Sequence, residues 1–309
     1  MHPTPNTGNS DGPKCADWRE ILEMEFGVRN VRLKLKFTCR SRSKQGTRKK
    51  PSPHNVNGSL DPLPRQRHAN IQDEDHLLLL LSDSALPIGS FAFSSGLESF
   101  VHHLPAGPVS QDILTHFLRE SLRSLAYTTL PFLNAAQTRP ESAVDLDEQF
   151  DATITCPVAR RASIAQGKAL VTIWERAFLE DKAIAETYRS SVKAGKGGHF
   201  GVAWGVVCSH CDISRGISAL TIQAEGLERA MYVFLLNHAK AVMSAAVRLS
   251  TVGPYQAQTI LATSSTRKLL RDTLDEVRDL DVEDAGQTWA LLDVYQGRQE
   301  ILYSRVFNG

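Results

Sequence analysis

Residues 110–133, SQDILTHFLRESLRSLAYTTLPFL, decide the fold class. Leu114, Phe117, Leu118, Leu122 and Leu125 recur at spacings of three and four, the period that places side chains on one stripe of an α-helix. Ser110 precedes the first apolar residue and suits an N-cap, because its hydroxyl can accept from an otherwise orphaned backbone N–H. Pro131 lacks an N–H, so a kink or stop is expected there.

The same period extends in both directions. Residues 159–178, ARRASIAQGKALVTIWERAF, place Ile164, Leu170, Val171, Trp174 and Phe178 on one broad face. Residues 181–195 read as a polar helix that ends where glycines 195, 197 and 198 begin. Residues 198–211, GHFGVAWGVVCSHC, form an apolar helix rich in small residues, suited to burial between others. Residues 224–250, AEGLERAMYVFLLNHAKAVMSAAVRLS, are apolar nearly all round and predict a long central helix. No credible run of alternating strands and no repeat at solenoid periods appears. The expected fold is therefore all-α: one helical-bundle domain over 74–309, with about ten helices packed round a buried central one.

Residues 1–73 differ in kind. Residues 1–70 hold 14 Lys+Arg against 6 Asp+Glu, whereas residues 71–309 hold 21 against 28, so a basic extension precedes an acidic body. Residues 40–55, RSRSKQGTRKKPSPHN, are too poor in apolar groups to offset the entropy of ordering. They read as a disordered extension or a misassigned start. A nuclear-import or nucleic-acid patch is the sharper reading, but no aromatic residues interleave the charges. No nucleic-acid partner is expected. No apolar run approaches the roughly 20 residues that span a bilayer. Five scattered cysteines (15, 39, 156, 208 and 211) do not resemble a disulfide framework, so a cytoplasmic protein is expected.

Three kinds of chemistry bear on the sequence. No phosphate-binding glycine motif occurs, and Gly195–Gly201 lacks the Lys-Ser/Thr that would hold phosphate and Mg²⁺, so no nucleotide hydrolysis is expected. Ala92-x-Ser94-x-Gly96 nearly matches a nucleophile elbow, which makes Ser94 a hydrolase candidate only if a strand precedes it. Cys208, His210 and Cys211 put three soft donors in four residues, the basis for an alternative reading as a direct nickel carrier. Small buried cysteines are the simpler explanation of that cluster. His199 follows Gly197-Gly198 and is read either as a helix-start hydrogen-bonding group or as a contact residue. Neither a catalytic residue nor a resident cofactor is expected.

Residues 86–98, LPIGSFAFSSGLE, combine several chain-turning devices. Pro87 and Gly89 turn the chain, and Gly89 and Gly96 allow close backbone approach or positive φ. Phe91 and Phe93 are expected to bury area, and Ser95-x-x-Glu98 reads as a capping box. With its flanks, LLLLLSDSALPIGSFAFSSGLESFV (77–101) resembles the N-terminal signature of the UreF family of urease accessory proteins, L-x-S-x-x-L-P-[VI]-G-[GS]-[FY]-x-[FYW]-S-x-G-L-E. The likeness continues in order. Thr129-Leu130-Pro131 resembles the family's Asp-Leu-Pro, and Ser163-x-x-Gln166-Gly167-x-x-Leu170 its S-x-x-Q-G-x-x-L. Gly198-His199-Phe200 through Gly205 is similar to its G-H-x-x-x-x-x-G. Ala246–Leu249 with Gly253 and Gln258 is similar to its basic-Leu…G-Q-x-x-x-Q, and Tyr303-Ser304-Arg305-Val306-Phe307 to its terminal Y-S-R-L-F. Pro254 replaces the first glutamine of one motif, and Gln299 stands where a histidine is usual.

The resemblance implies a non-catalytic, cytoplasmic, homodimeric maturation factor. Such proteins bind a UreD/UreH-like accessory protein and help recruit the GTPase UreG. The assembly inserts nickel into apo-urease with GTP hydrolysis, which the UreF-like member is expected to modulate. Nickel is handled by the complex. Pro87, Gly89, Phe91, Ser94, Gly96, Glu98, His199, Arg248, Gln258, Tyr303, Ser304, Arg305 and Phe307 are the partner-binding residues it implies. Glu98 and Arg248 would present charges to partners, and Arg305 and Phe307 would anchor the tail.

Overall fold

The computed structural model describes residues 73–178, 185–211 and 221–308. Every described residue belongs to one compact unit within Gln66–Gly309. The basic run at 40–55 lies outside the described residues. Among those that are described there are eleven α-helices and no strand. They are α1 (Asp73–Ser82), α2 (Leu97–His102), α3 (Gln111–Thr138), α4 (Ala143–Thr153), α5 (Pro157–Ile173), α6 (Glu186–Lys193), α7 (Phe200–His210), α8 (Thr221–Arg248), α9 (Pro254–Ala262), α10 (Ser264–Val277) and α11 (Ala290–Arg298).

Helix α3 begins as its sequence predicts. The Ser110 hydroxyl accepts the Ile113 N–H at 3.3 Å, and Leu114, Phe117, Leu118 and Leu122 are buried, with Leu125 half-buried. It does not stop at Pro131. Proline at that position cannot donate to the carbonyl of Tyr127 four residues earlier. The Gly286 N–H, from the chain preceding α11, donates to that carbonyl instead, at 3.2 Å. The Thr128 hydroxyl donates to the Ser124 carbonyl at 2.8 Å. A distant segment thus satisfies the group that proline orphans, and the helix runs on to Thr138.

The buried helix is α7 rather than the longer α8. Every residue from Gly201 to Cys208 is buried, whereas α8 alternates buried with half-buried positions. The stretch Gly226–Arg248 of α8 is long and apolar enough to cross a membrane by length and composition, and half of its apolar window lies inside the domain. Helix α7 packs chiefly on α3 and α5. Its glycines permit this. A Cβ on Gly205 would stand 2.4 Å from the Leu133 carbonyl oxygen of α3. Across the other interface, a Cβ on Gly167 of α5 would stand 2.1 Å from the Gly198 carbonyl oxygen.

The joint at 86–98 also differs from its local reading. Helix α2 has Gly96 as its N-cap (φ 86°), and Ser95 before it is also left-handed (φ 54°). No side chain caps the helix, so Ser95 and Glu98 form no capping box. The carboxylate of Glu98 is drawn elsewhere by stronger donors. Phe91 is 64% exposed and adds nothing to the core, while Phe93 is half-buried.

Gly205→Ala is expected to destabilise the domain by about 1–3 kcal/mol, the range for a methyl forced into a closed contact. Urea denaturation measures this. A loss below about 0.5 kcal/mol would show that the α3–α7 contact yields easily.

Candidate functional site

The site begins with one carboxylate. Glu98 sits on α2 and is 1% exposed. Its oxygens accept the Val306 N–H at 2.6 Å and the Phe307 N–H at 3.1 Å. The amide of Gln299 donates to the same carboxylate and also reaches the Phe307 carbonyl at 3.4 Å. The Asn308 N–H donates to the Ala92 carbonyl at 2.9 Å, tying the end of the tail to the turn before α2. Phe307 is buried, with the Arg248 guanidinium 4.3 Å from its ring centre. Hydrogen bonds to a charged acceptor contribute about 1.5–3 kcal/mol each, and an exposed cation–π contact about 0.5–1 kcal/mol. Several of these together hold a seven-residue tail that would otherwise fray.

Glu98 therefore does not present its charge at the surface, because backbone donors inside the domain consume it. Outside the latch, Tyr303, Ser304, Arg305 and Val306 face solvent. Phe91, Leu291, Val294 and Ile301 are also exposed. Pro87 and Arg248 are exposed and Gly89 half-exposed. Ser94 and Gly96 are buried beneath them. A side chain on Gly96 would meet Gln296 and Leu292 of α11 at 3.1 and 3.4 Å. Gln258 is exposed on α9.

His199 belongs to a different hydrogen-bonded cluster and is fully buried. Its Nε2 lies 2.8 Å from Asp151 and its Nδ1 3.2 Å from the Ser163 hydroxyl. The backbone N–H groups of Gly198 and His199 donate to Asp147, the latter at 2.9 Å, so a buried carboxylate caps the start of α7. Burial pushes the Asp147 carboxyl up, against the pull of those two donors. The Arg160 guanidinium, and after it His199, holds the Asp151 carboxyl below its ordinary range.

The three soft donors do not converge. Cys208 is fully buried and its thiol is pushed up by burial. The His210 ring packs on Trp174 and its Nδ1 lies 2.8 Å from the Val206 carbonyl. Among the described residues no three His, Cys, Asp or Glu side chains stand together as metal ligands. Ser94 follows a 3-10 turn rather than a strand, and its carbonyl accepts the Leu97 N–H at 3.1 Å.

Comparison with known sequences bears on this arrangement. The sequence profile of the UreF family matches residues 109–265. A UreF-like urease accessory protein of Schizosaccharomyces pombe is 39% identical over 244 residues, covering 77% of this chain and 98% of the relative. Urease accessory protein F of Arabidopsis thaliana is 33% identical, covering 74% and 89%. Urease accessory protein 6 of Cryptococcus neoformans is 26% identical, covering 76% and 97%. This chain belongs to the UreF family.

The UreF motifs divide into two groups in this structure. Gly167, Gly198, His199 and Gly205 build the seats of α7. The first and last motifs, 200 residues apart, close on each other through Glu98 and the tail. Gln299 is part of that closure and is fully buried. Its departure from the family pattern was the one signal in the sequence that could have singled it out.

The Asp151 cluster makes a pH prediction. A carboxylate whose folded-state pKa is depressed adds stability above its unfolded value and loses it as pH falls through the folded one. Asp147, raised by burial, acts in the opposite sense. Asp151→Asn is therefore expected to flatten the loss of stability below about pH 4. Urea midpoints collected against pH test this, and an acid limb as steep as that of the parent chain contradicts it.

Proposed function

We propose that this UreF protein is a scaffold for urease maturation, holding a UreD/UreH-like accessory protein and a UreG-like GTPase together. On this reading the assembly delivers nickel to apo-urease, and this chain influences the GTPase's hydrolysis without performing catalysis itself. The chain acts in the cytoplasm, as a homodimer, and carries no resident cofactor.

One observation supports the reading above the others. The tail is held by its inward residues and displays its outward ones. Glu98, Gln299 and Phe307 lie inside, while Tyr303 and Arg305 project from the same few residues with their side chains free of the core. Tyrosine and arginine on a pre-ordered segment suit a binding hot spot, because little further entropy is lost when a partner docks. The exposed Ile301 and Val306 supply apolar area beside them.

Co-purification of the full chain with its UreD-like and UreG-like partners tests the proposal. Tyr303→Ala and Arg305→Ala are each expected to weaken the complex about tenfold or more, the cost of a hot-spot side chain, with thermal unfolding unchanged. A wild-type chain that captures neither folded partner would overturn the scaffold reading. Full capture by both variants would move the contact away from the tail.

A further inference from the structure

A cavity of about 190 Å³ lies among α3, α5, α8, α11 and the turn before α2. Its floor is buried and includes Ser121 and Thr129 of α3, Gly201 of α7 and Phe234 of α8. Leu125, Phe150, Ile154, Phe200 and Leu292 supply apolar wall. Thr153, Thr155 and Gln287 also line it and are exposed, so the cavity opens to solvent on that side. An apolar cavity of about 150 Å³ accepts a benzene molecule. This space therefore admits one six-membered ring with a small substituent.

Charge and hydrogen bonding narrow the class of occupant. Among the described residues that line the cavity there is no lysine or arginine, so an anion would lose its hydration without gaining a counter-charge. The carboxylate in the wall is that of Asp293, and it is already engaged. The Thr155 hydroxyl donates to it at 2.6 Å and the Gln287 amide at 2.9 Å. His238 of α8 lines the cavity as well, and burial lowers its pKa to about 4, so the ring is neutral near pH 7. The Ser121 hydroxyl spends its one hydrogen on the Leu118 carbonyl at 3.1 Å. His238 Nε2, 3.2 Å from that hydroxyl oxygen, is therefore the donor between the two. A neutral imidazole protonated on Nε2 has a bare acceptor at Nδ1. That Nδ1 has no partner among the described residues, yet it is not sealed in the core, so it is open to the cavity that the ring lines.

We propose that this cavity binds an uncharged small molecule with an apolar ring and one hydrogen-bond donor, a phenol-like group whose O–H donates to His238 Nδ1. The ring would displace water from apolar wall, which is favourable, and the donor would satisfy the acceptor that the protein leaves open. A pocket of this kind, mostly apolar with a few placed polar groups, is the usual form of a small-molecule site. The site is distinct from the partner-facing tail, since neither Tyr303 nor Arg305 lines it. Phe93 and Ser95 of the joint at 86–98 and Leu292 of α11 line the same space, so an occupant adds contacts between two ends of the domain. A ligand that binds the folded chain and not the unfolded one raises the melting temperature.

Titration of the full chain with phenol, toluene, benzoate and benzylamine near neutral pH tests the site, followed by saturation-transfer NMR and by thermal unfolding. Phenol is expected to bind saturably with a dissociation constant of about 1 mM or tighter, and to raise the melting temperature. Toluene, the same ring without a donor, is expected to bind about fivefold more weakly, the worth of one hydrogen bond. Benzoate and benzylamine are expected to bind at least about tenfold more weakly than phenol, because each carries an unpaired charge. His238→Phe keeps the ring volume and removes Nδ1. It is expected to lower phenol to the affinity of toluene and to leave toluene unchanged. Ala241→Phe fills the cavity from α8 and is expected to abolish binding of both, with Ala162→Phe of α5 used if that variant does not fold. No saturable binding of phenol would overturn the proposal, as would benzoate binding as tightly as phenol. Phenol binding that survives a filled cavity in a folded variant would also overturn it. So would a preference for phenol over toluene that persists in His238→Phe.

Discussion

The domain rests on the close approach of one helix backbone to two others. Helix α7 buries eight consecutive residues, which requires neighbours on every side. Its own small residues bring α3 to within a methyl's width at Gly205, and Gly167 does the same for α5. Close approach raises packing density where dispersion contacts are individually small and collectively large. It also leaves no water to satisfy the first N–H groups of α7, so a protein group must do so. Asp147 of α4 accepts from Gly198 and His199 just before the helix, and the Ser163 hydroxyl of α5 accepts the Phe200 N–H at its start. His199 and Ser163 then connect the helix start to α5 and to Asp151. Motif residues with the look of a functional site here form the foundation of the fold.

The latch at Glu98 follows the same logic at the other end of the chain. A buried carboxylate needs donors, and the turn before α2 leaves it close to none of its own. The C-terminal segment brings them, and in being held it becomes ordered up to Asn308. The Gly286 N–H reaches the Tyr127 carbonyl that Pro131 leaves open. Two separate defects of the N-terminal half, an orphaned carbonyl and an uncompensated charge, are thus repaired by residues 286–307. The exposed tail side chains owe their definite position to those buried repairs.

Period and composition made the helices legible. The stripe from Leu114 to Leu122 is buried as its spacing demands, and Ser110 caps where a short polar side chain should. Leu170, Val171 and Trp174 are likewise buried, with Ile164 and Phe178 at the half-buried margin of the face. Errors arose where a remote partner outbid a local rule. Pro131 looks like a stop until a donor from residue 286 is known. Ser95 and Glu98 have capping-box spacing, yet Glu98 finds better donors two hundred residues away. Helix α8 is longer and more apolar than most, but apolar composition does not reveal which helix has neighbours on all sides.

The sequence by itself determined that this chain forms helices, where most of them begin and which faces turn inward, since those depend on neighbours within a few residues. Its ordered motifs also carried the UreF family. Only the tertiary structure decided which motif residues are buried supports and which are outward contacts. Glycine, histidine and glutamate can serve either purpose, and the choice depends on what lies across the interface. Glu98 shows the distinction most plainly: its charge is evident from the sequence, whereas its enclosure depends on a tail that local pattern alone does not place beside it.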